Sequence, residues 1–311
     1  MEDPESGQKF ALKKMNYQDS QQLTHIKREI ELWKRCNNHL NIVKLYDFDI
    51  GQSFVLILME FCAEGTLLDM INNRQEALIG ESQALFIIRE VASGILHMHS
   101  QNPPIAHRDI KIENVLRVGN NFKLCDFGST SVETLDPKKE SKNSMLDKFS
   151  SFEKNTTFMY RPPEMCDPFS KFVICEKVDI WMLGCILYAL LFKQHPFQDA
   201  QKLTIINAHY YIPENAKSYS EKLIDFVRLM LTPNPSNRPS AKDVLNLIHN
   251  WANLKGIDLP SETQEIKEKQ LRNVKSNKPN LLTSDDIYKA QQEIMKSQAK
   301  KNKYKKNGII I

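Results

Sequence analysis

Residues Ile105–Cys125 read IAHRDIKIENVLRVGNNFKLC, and Asp126-Phe127-Gly128 follows directly. The stretch contains the pattern H-R-D-x-K-x-x-N, in which Asp109 is the acidic residue. Two short runs with strand-like alternation come next, joined by Gly119-Asn120-Asn121. Two carboxylates, a cation and an amide thus fall in a fixed order within eighteen residues, which indicates a chemical site rather than a polar loop between core strands.

The order H-R-D-x-K-x-x-N and then D-F-G resembles the catalytic-loop and metal-binding motifs of the eukaryotic protein kinase superfamily. The resemblance implies phosphoryl transfer, which depends on positioning and charge neutralisation more than on covalent catalysis. It implies that Asp109 orients the attacking hydroxyl and that Lys111 balances the charge of the migrating phosphoryl group. Asn114 and Asp126 offer the oxygen ligands that Mg²⁺ prefers. These four residues are the candidate catalytic residues, and the last two are the candidate metal ligands.

Hydrophobic patterning predicts strands in the first part of the chain and helices in the second. Strands are expected at residues 9–15, 42–49 and 54–59, and helices at 20–36, 82–100, 177–193, 220–231 and 240–251. A linker from Glu60 to Thr66 precedes a short helix that ends near Ile71. This order predicts an α+β, bilobal, protein-kinase-like fold, with a small β-rich N-lobe and a larger α-helical C-lobe.

The resemblance divides the chain into three regions. Residues 1–60 would form a partial N-lobe, and residues 61–253 the hinge and C-lobe. Residues 254–311 are of low complexity, and we expect a disordered tail with a transient helix near 285–299. From position 252 to the end the net charge is +6, against −2 for the rest. The basic tail predicts peripheral contact with acidic membranes or an adaptor, although an inert, solvated tail fits the composition equally well.

A nucleotide site for ATP is also implied. Lys13 in Ala11-Leu12-Lys13 resembles the strand lysine that holds the α- and β-phosphates, and Glu29 is its natural partner. A lysine and a glutamate sixteen residues apart mean little alone, but the H-R-D and D-F-G motifs follow in the right order. Ala11 and Leu116 would sandwich the adenine ring, and Cys125 would lie at the back of the pocket.

The hinge is expected in the run V-L-I-L-M-E-F-C, residues 55–62. Met59 would line the adenine pocket, while the backbones of Glu60 and Cys62 would hydrogen bond to the adenine edge. These side chains would belong to the core even without a nucleotide.

Four further residues are expected to hold the C-lobe together around the site. Glu164 in R-P-P-E would pair with Arg238, and Asp179 would accept hydrogen bonds from the catalytic-loop backbone. A buried carboxylate needs such partners, because burying it alone costs several kcal/mol. Thr157 matches the threonine that contacts the catalytic aspartate in Ser/Thr kinases. The activation segment, residues 126–164, is rich in Ser, Thr and Lys, and Arg108 is not expected to need a phosphate partner.

Among protein kinases, the chain resembles the Numb-associated kinase family. This family includes the adaptor-associated, cyclin-G-associated and yeast actin-regulating kinases. The resemblance covers roughly residues 9–250 and rests on A-L-K-K-M, K-R-E-I, V-L-I-L-M-E-F-C, H-R-D-I-K-I-E-N-V-L, K-L-C-D-F-G-S and T-T-x-x-Y-R-P-P-E-M. It implies an ATP- and Mg²⁺-dependent enzyme that phosphorylates Ser/Thr in protein substrates, such as endocytic adaptors and actin-patch proteins.

Two features depart from that pattern. Gly7 is the only glycine before Gly51, so no glycine-rich loop precedes Lys13, and we expect an N-terminally truncated N-lobe. The rival interpretation is a catalytically impaired kinase fold that acts as a scaffold. Asp167-Pro168-Phe169 resembles an adaptor-binding D-P-F motif but is expected to lie inside the folded lobe.

Composition limits the compartment and the partners. The six cysteines form no C-x-x-C pair, which favours a reducing, cytoplasmic environment. The longest apolar run, Ile180–Phe192, is too short to cross a bilayer, and no secretory signal is recognisable at the N-terminus. We therefore expect a soluble protein without a transmembrane segment. We expect no nucleic-acid partner, and the sequence shows no regular spacing of metal ligands.

Overall fold

The computed structural model of the chain describes Glu2, residues 7–74 and residues 78–255. The chain divides into two compact units, Lys13–Leu259 and the pair of segments Met1–Leu12 and Pro260–Ile311. In the second unit, the described residues include an antiparallel bridge between Glu2 and Lys9 and the start of the first strand. Residues 254 and 255 of the predicted tail belong to the last described helix, and the rest of the tail, with its predicted helix near 285–299, lies outside the described residues.

In the described part of the chain, three strands form the N-terminal sheet: β1 (Phe10–Asn16), β2 (Leu45–Ile50) and β3 (Phe54–Glu60). Their order is β1-β3-β2, and β2 pairs with β3 as an antiparallel hairpin in which Ile50 faces Val55. The apolar run from Val55 to Leu58 is buried, which places β3 in the middle of the sheet. The strand that carries Lys13 is therefore an edge strand of this sheet.

Helix α1 (Ser20–Cys36) begins where the Asp19 side chain accepts a hydrogen bond from the Gln22 N–H at 2.8 Å. The apolar side chains at helical spacing in α1 are buried at Ile26, Ile30 and Trp33, while Leu23 is half-buried. The Trp33 ring stacks on Phe127 with ring centroids 5.1 Å apart. This stacking fixes α1 directly against the D-F-G segment.

The remainder of the described chain is mainly helical. A capping box at Thr66 starts α2 (Leu67–Asn72). The other elements, in chain order, are α3 (Glu81–His99), β4 (Val115–Val118), β5 (Asn121–Leu124), α4 (Lys142–Asn155), α5 (Pro163–Cys166), α6 (Val178–Phe192), α7 (Lys202–Ile206), α8 (Glu221–Met230) and α9 (Ala241–Lys255). Every residue of α6 is buried, so this helix is the centre of the lobe.

The predicted α+β class, with a small β-sheet region followed by a larger helical region, is confirmed. The strand expected at 42–49 begins three residues later, because Ile42 and Val43 instead bond to the β5 end at Leu124. Helix α4 was missed, although Met145, Phe149 and Phe152 lie at helical spacing and are buried. The hydrophobic pattern of this helix is weak, because Ser and Lys residues lie between the apolar positions. No helix of the described residues is long and apolar enough to span a membrane.

Candidate active site

The Asp109 carboxylate is the most heavily contacted group of the catalytic loop. Its Oδ2 atom lies 2.8 Å from Lys111 Nζ and accepts a hydrogen bond from Asn114 Nδ2 at 3.1 Å. The same Asn114 amide donates to the Asp109 backbone carbonyl at 2.9 Å. The loop therefore brings Lys111 and Asn114 into contact with Asp109, so that three of the four predicted catalytic side chains meet at one carboxylate.

Thr157, which comes from the far end of the activation segment, completes this group. Its Oγ1 and backbone N–H donate to Asp109 Oδ1 at 2.8 and 3.1 Å. Its Oγ1 also accepts a hydrogen bond of 2.8 Å from Lys111. The contact that the sequence predicted for Thr157 is present, and it joins two segments that are 48 residues apart.

The carboxylate of Asp179 holds the backbone of the catalytic loop through hydrogen bonds. It accepts hydrogen bonds of 2.8 Å from the backbone N–H groups of His107 and Arg108, as the sequence predicted, and pairs with His99 Nε2 at 2.9 Å. Burial acts to raise the pKa of this carboxyl, but the bond with His99 and the loop N–H groups hold it below its ordinary value. Arg108 has a φ of 66°, a left-handed conformation that these bonds hold in place.

Lys13 lies between two carboxylates. Its Nζ atom is 3.0 Å from Glu29 Oε1 and 3.2 Å from Asp126 Oδ1. Burial acts to lower the pKa of Lys13, but the two adjacent carboxylates outweigh it and raise the pKa. Burial raises the pKa of Glu29. Burial also acts to raise the pKa of Asp126, but the charge of Lys13 and its hydrogen bond keep that pKa below its ordinary value. The predicted Lys13–Glu29 pair is thus formed, and Asp126 is a second partner of Lys13 that the sequence did not predict.

Metal binding can be judged from the orientation of the two candidate ligands. Asn114 uses its amide nitrogen toward Asp109, which leaves Oδ1 as an acceptor. The Asp126 side chain is 48% exposed. Among the described residues, no three His, Cys, Asp or Glu side chains gather into a metal cluster. The pair fits Mg²⁺, which commonly binds one or two protein ligands and completes its shell with phosphate oxygens and water.

The residues predicted to contact adenine lie on the strands and the hinge. Ala11 lies on β1 and is half-buried, as is Met59 on β3. Leu116 on β4 and Cys62 after β3 are half-buried and pack against the core. Their burial fits either a nucleotide pocket or an ordinary core edge.

Glu60 and Cys125 have more specific surroundings. The Glu60 side chain accepts from Lys123 Nζ at 2.8 Å, and its backbone N–H bonds to Lys44 O at 2.9 Å. These bonds orient the first hinge residue. Burial and the charge of Lys13 act in opposite directions on the pKa of the Cys125 thiol. Burial prevails and raises the pKa of Cys125 to about 12, so this is not an activated nucleophile.

The ion pair predicted between Glu164 and Arg238 is present and fully buried. Arg238 Nη1 and Nη2 lie 2.8 and 3.1 Å from the two carboxylate oxygens of Glu164, and neither side chain is exposed. The Phe169 side chain of the D-P-F triplet is 75% exposed, although the sequence placed the triplet inside the lobe. The triplet forms a surface turn, in which Asp167 Oδ1 accepts from the Phe169 N–H at 3.0 Å.

Comparison with known proteins gives a consistent assignment. The family model for the protein kinase domain matches residues 2–252. A probable serine/threonine-protein kinase of Dictyostelium discoideum is 42% identical over 77% of this chain and 30% of its own length. Actin-regulating kinase 1 of Saccharomyces cerevisiae is 35% identical over 79% of this chain and 40% of its own. A second probable serine/threonine-protein kinase of D. discoideum is 38% identical over 80% of this chain and 23% of its own. The chain thus spans well under half the length of these relatives.

Proposed function

The chain belongs to the protein kinase family, and on that premise we propose that it transfers the γ-phosphoryl group of ATP to Ser or Thr hydroxyls of protein substrates. The observation that carries this proposal is the contact group of Asp109, Lys111, Asn114 and Thr157. In this group, the residue that would orient the substrate hydroxyl, a cation and a proposed metal ligand are all held by hydrogen bonds or an ion pair to one carboxylate.

Within this proposal, Asp109 accepts the hydrogen bond of the substrate hydroxyl and aims its oxygen at the γ-phosphorus. Lys111 lies 2.8 Å from this carboxylate, close enough to neutralise charge on the phosphoryl group as it moves. Asn114 and Asp126 would hold Mg²⁺, which neutralises phosphate charge and orients the leaving group. Lys13, oriented by Glu29, would hold the α- and β-phosphates.

The remaining nucleotide contacts are proposed on the same basis. Met59 would form the wall of the adenine pocket, with the backbones of Glu60 and Cys62 as hydrogen-bonding groups. Ala11 and Leu116 would sandwich the ring, and Cys125 would lie behind it. The bonds that orient Glu60 support this assignment of the hinge.

The substrates that we propose are actin-regulatory proteins or endocytic adaptors. The support is the similarity to actin-regulating kinase 1 and the motifs shared with the Numb-associated kinases. All six cysteines are free thiols, which supports activity in the reducing cytoplasm. The basic composition of residues 254–311 supports contact with an acidic membrane surface or an adaptor. We also propose that residues 1–60 form a partial N-lobe, that residues 61–253 form the hinge and the C-lobe, and that residues 254–311 form a tail.

A kinase-fold scaffold without transfer activity is the second candidate. It is favoured by the position of β1 at the edge of the described sheet, since an edge strand can pair with a partner chain. The intact Lys13–Glu29 and Asp109–Thr157 contacts favour the enzyme.

A metal-dependent phosphotransfer assay distinguishes the two. We expect the purified chain to transfer label from γ-labelled ATP to a generic Ser/Thr protein substrate when Mg²⁺ is present. The transfer should stop when the metal is chelated. Asp126→Asn is the matched negative variant, because it removes a proposed metal ligand with little change of shape. Nucleotide binding without transfer in the parent would favour the scaffold.

A further inference from the structure

A groove lies between the N-terminal half of α4 and the surface turn Asp167-Pro168-Phe169. Its volume is about 410 Å³, and the apolar part of its lining consists of Pro137, Met145, Leu146, Pro168 and Phe169. Leu146 is 47% exposed and Phe169 is 75% exposed. Apolar side chains that are exposed together in one groove are typical of a contact surface, whereas apolar side chains exposed singly are not.

Hydrogen bonds hold the two walls of the groove in place. Leu135, just before the first wall, and Ile174, just after the second, exchange two backbone hydrogen bonds of 2.9 Å. The second wall is the turn in which Asp167 accepts from the Phe169 N–H. The buried side chain of Met145 fixes the wall formed by α4 to the core. The groove is therefore a pre-formed feature of the fold, as binding sites usually are.

Lysines surround the apolar lining. Lys138, Lys142 and Lys171 line the groove and are exposed, against one acidic lining residue, Glu140, which accepts a hydrogen bond from Ser144. Lys142 and Lys171 make no ion pair with any carboxylate of the described residues. The groove also lies at the beginning of α4, where the aligned peptide dipoles add positive potential. Its surface is thus apolar in the middle and positive at the rim.

We propose that this groove binds an acidic peptide segment of a partner protein, and that the segment carries at least one large apolar side chain. That side chain would enter between Leu146 and Phe169. Carboxylates on either side of it would contact Lys142 on one wall and Lys171 on the other. An apolar centre with complementary charges at its rim is the usual arrangement of a protein interface.

The concave shape favours a peptide over an acidic membrane. A bilayer surface is flat on this scale, so it would contact the lysines at the rim and the exposed Phe169 but would not reach the floor at Met145. A peptide chain is narrow enough to place a side chain on that floor and its carboxylates at the rim in the same complex.

The test is a fluorescence-polarisation titration of the purified full chain with a fluorescein-labelled probe peptide, EEDLFEDLEE. The peptide QQNLFQNLQQ keeps the apolar residues without the charge, and EEDSSEDSEE keeps the charge without the apolar residues. We expect the probe to bind at least about tenfold more tightly than either control peptide. Equal affinity for the probe and EEDSSEDSEE would mean simple charge attraction and would overturn the proposal.

Variants locate the binding in the groove, because the basic residues 254–311 also attract an acidic peptide. Phe169→Ser should weaken probe binding by about tenfold, since it removes one large apolar contact. Lys142→Gln with Lys171→Gln should weaken it by about two- to tenfold. Leu254→Ser and Lys154→Gln are the controls, because both side chains are exposed outside the groove, and they should bind as the parent does. Parental affinity in the groove variants would overturn the proposal.

A charge reversal distinguishes lost recognition from lost folding. Lys142→Glu with Lys171→Glu should bind the probe weakly and should bind the lysine peptide KKKLFKKLKK at least about tenfold more tightly than the parent does. Thermal unfolding shows whether the double variant is folded. A folded double variant with no gain of affinity for the lysine peptide would contradict the proposed contacts.

Other occupants of the groove give different results with the same variants. Vesicles that contain phosphatidylserine and bind the parent but not Phe169→Ser, with no binding of the probe, would indicate a membrane surface. A dimer in sedimentation that Phe169→Ser converts to a monomer would indicate a second copy of the chain. Either result would overturn the peptide proposal. Failure of the parent to transfer phosphate would refute the proposed function alone, because probe binding does not depend on transfer.

Discussion

The Thr157 hydroxyl donates a hydrogen bond of 2.8 Å to Asp109 Oδ1, and the Thr157 backbone N–H donates to the same oxygen. The same hydroxyl accepts a hydrogen bond from Lys111. The orientation of the Asp109 carboxylate, the proposed catalytic group, therefore depends on the position of the activation segment. A displacement of that segment would leave the carboxylate free to rotate, so the order of the segment and the geometry of the site are coupled.

Replacing Asp109 by Asn should separate catalysis from binding. The amide cannot accept the substrate hydroxyl's proton, so turnover should fall by on the order of a hundredfold or more. ATP affinity should persist, because Lys13 and the hinge are untouched. Steady-state kinetics together with nucleotide titration by fluorescence give the two quantities. Equal turnover in variant and parent would remove Asp109 from the catalytic role.

Replacing Thr157 by Val removes one of the two bonds to Asp109 and keeps the backbone bond and the side-chain shape. We expect kcat to fall by about three- to tenfold, the range expected when one hydrogen bond worth about 1 kcal/mol is lost. Thr157→Ser retains the hydroxyl and should stay close to the parent. If serine and valine lower kcat equally, the loss comes from packing and not from the hydrogen bond to Asp109.

The Glu164–Arg238 pair should control stability rather than chemistry. Glu164→Gln leaves a buried guanidinium without its counter-charge, and breaking such a pair costs about 3–5 kcal/mol. The double variant Glu164→Leu with Arg238→Met should unfold less readily than Glu164→Gln, because it leaves no uncompensated charge. Urea unfolding followed by circular dichroism measures both. An additive loss in the double variant would show that the pair is not coupled.

The contrast between the catalytic loop and its surroundings explains which parts of the site could be predicted from sequence. Asp109, Lys111 and Asn114 lie within six residues of one another, so their spacing alone indicated a common site. Glu133 and Lys148 meet only because α4 folds back onto the segment before it. The helix α4 itself was missed, since three buried side chains at helical spacing are separated by polar residues. Long-range pairs such as His99 with Asp179, 80 residues apart, leave no local pattern to detect.

Acid should destabilise the protein through a half-buried histidine. His39 stacks on His97 with ring centroids 4.7 Å apart. Burial, with the charges of His97 and Lys123, lowers the pKa of His39 from 6.5 to about 4. The fold therefore favours neutral His39. This stabilisation is complete above the unfolded pKa of 6.5 and is lost as the pH falls toward the folded value near 4.

Urea unfolding at pH 7.5, 6 and 5 tests this dependence. Stability should fall with decreasing pH by at most about 1.4 kcal/mol per pH unit for one such group. His39→Gln should unfold more readily at pH 7.5 but show a shallower pH dependence. His25→Gln, on the exposed face of α1, is the control and should follow the parent. Identical slopes in parent and His39→Gln would exclude His39 as the cause.

The two carboxylates on Lys13 lead to a prediction about magnesium. In the parent, Lys13 divides its contacts between Glu29 at 3.0 Å and Asp126 at 3.2 Å. Glu29→Gln removes the charge of the first partner, so Lys13 should pair more strongly with Asp126. Because Asp126 is a proposed metal ligand, Lys13 and Mg²⁺ would then compete for it.

We therefore expect Glu29→Gln to need several-fold more Mg²⁺ for half-maximal activity, and to recover much of its lost rate when Mg²⁺ is in excess. Lys13→Met should not recover at any Mg²⁺ concentration, because it removes the proposed contact to the nucleotide phosphates. Glu31→Gln, an exposed neighbour on α1, is the control. A Glu29→Gln enzyme with the parental Mg²⁺ requirement would mean that Lys13 does not move to Asp126, and that Glu29 acts only by holding α1 in place.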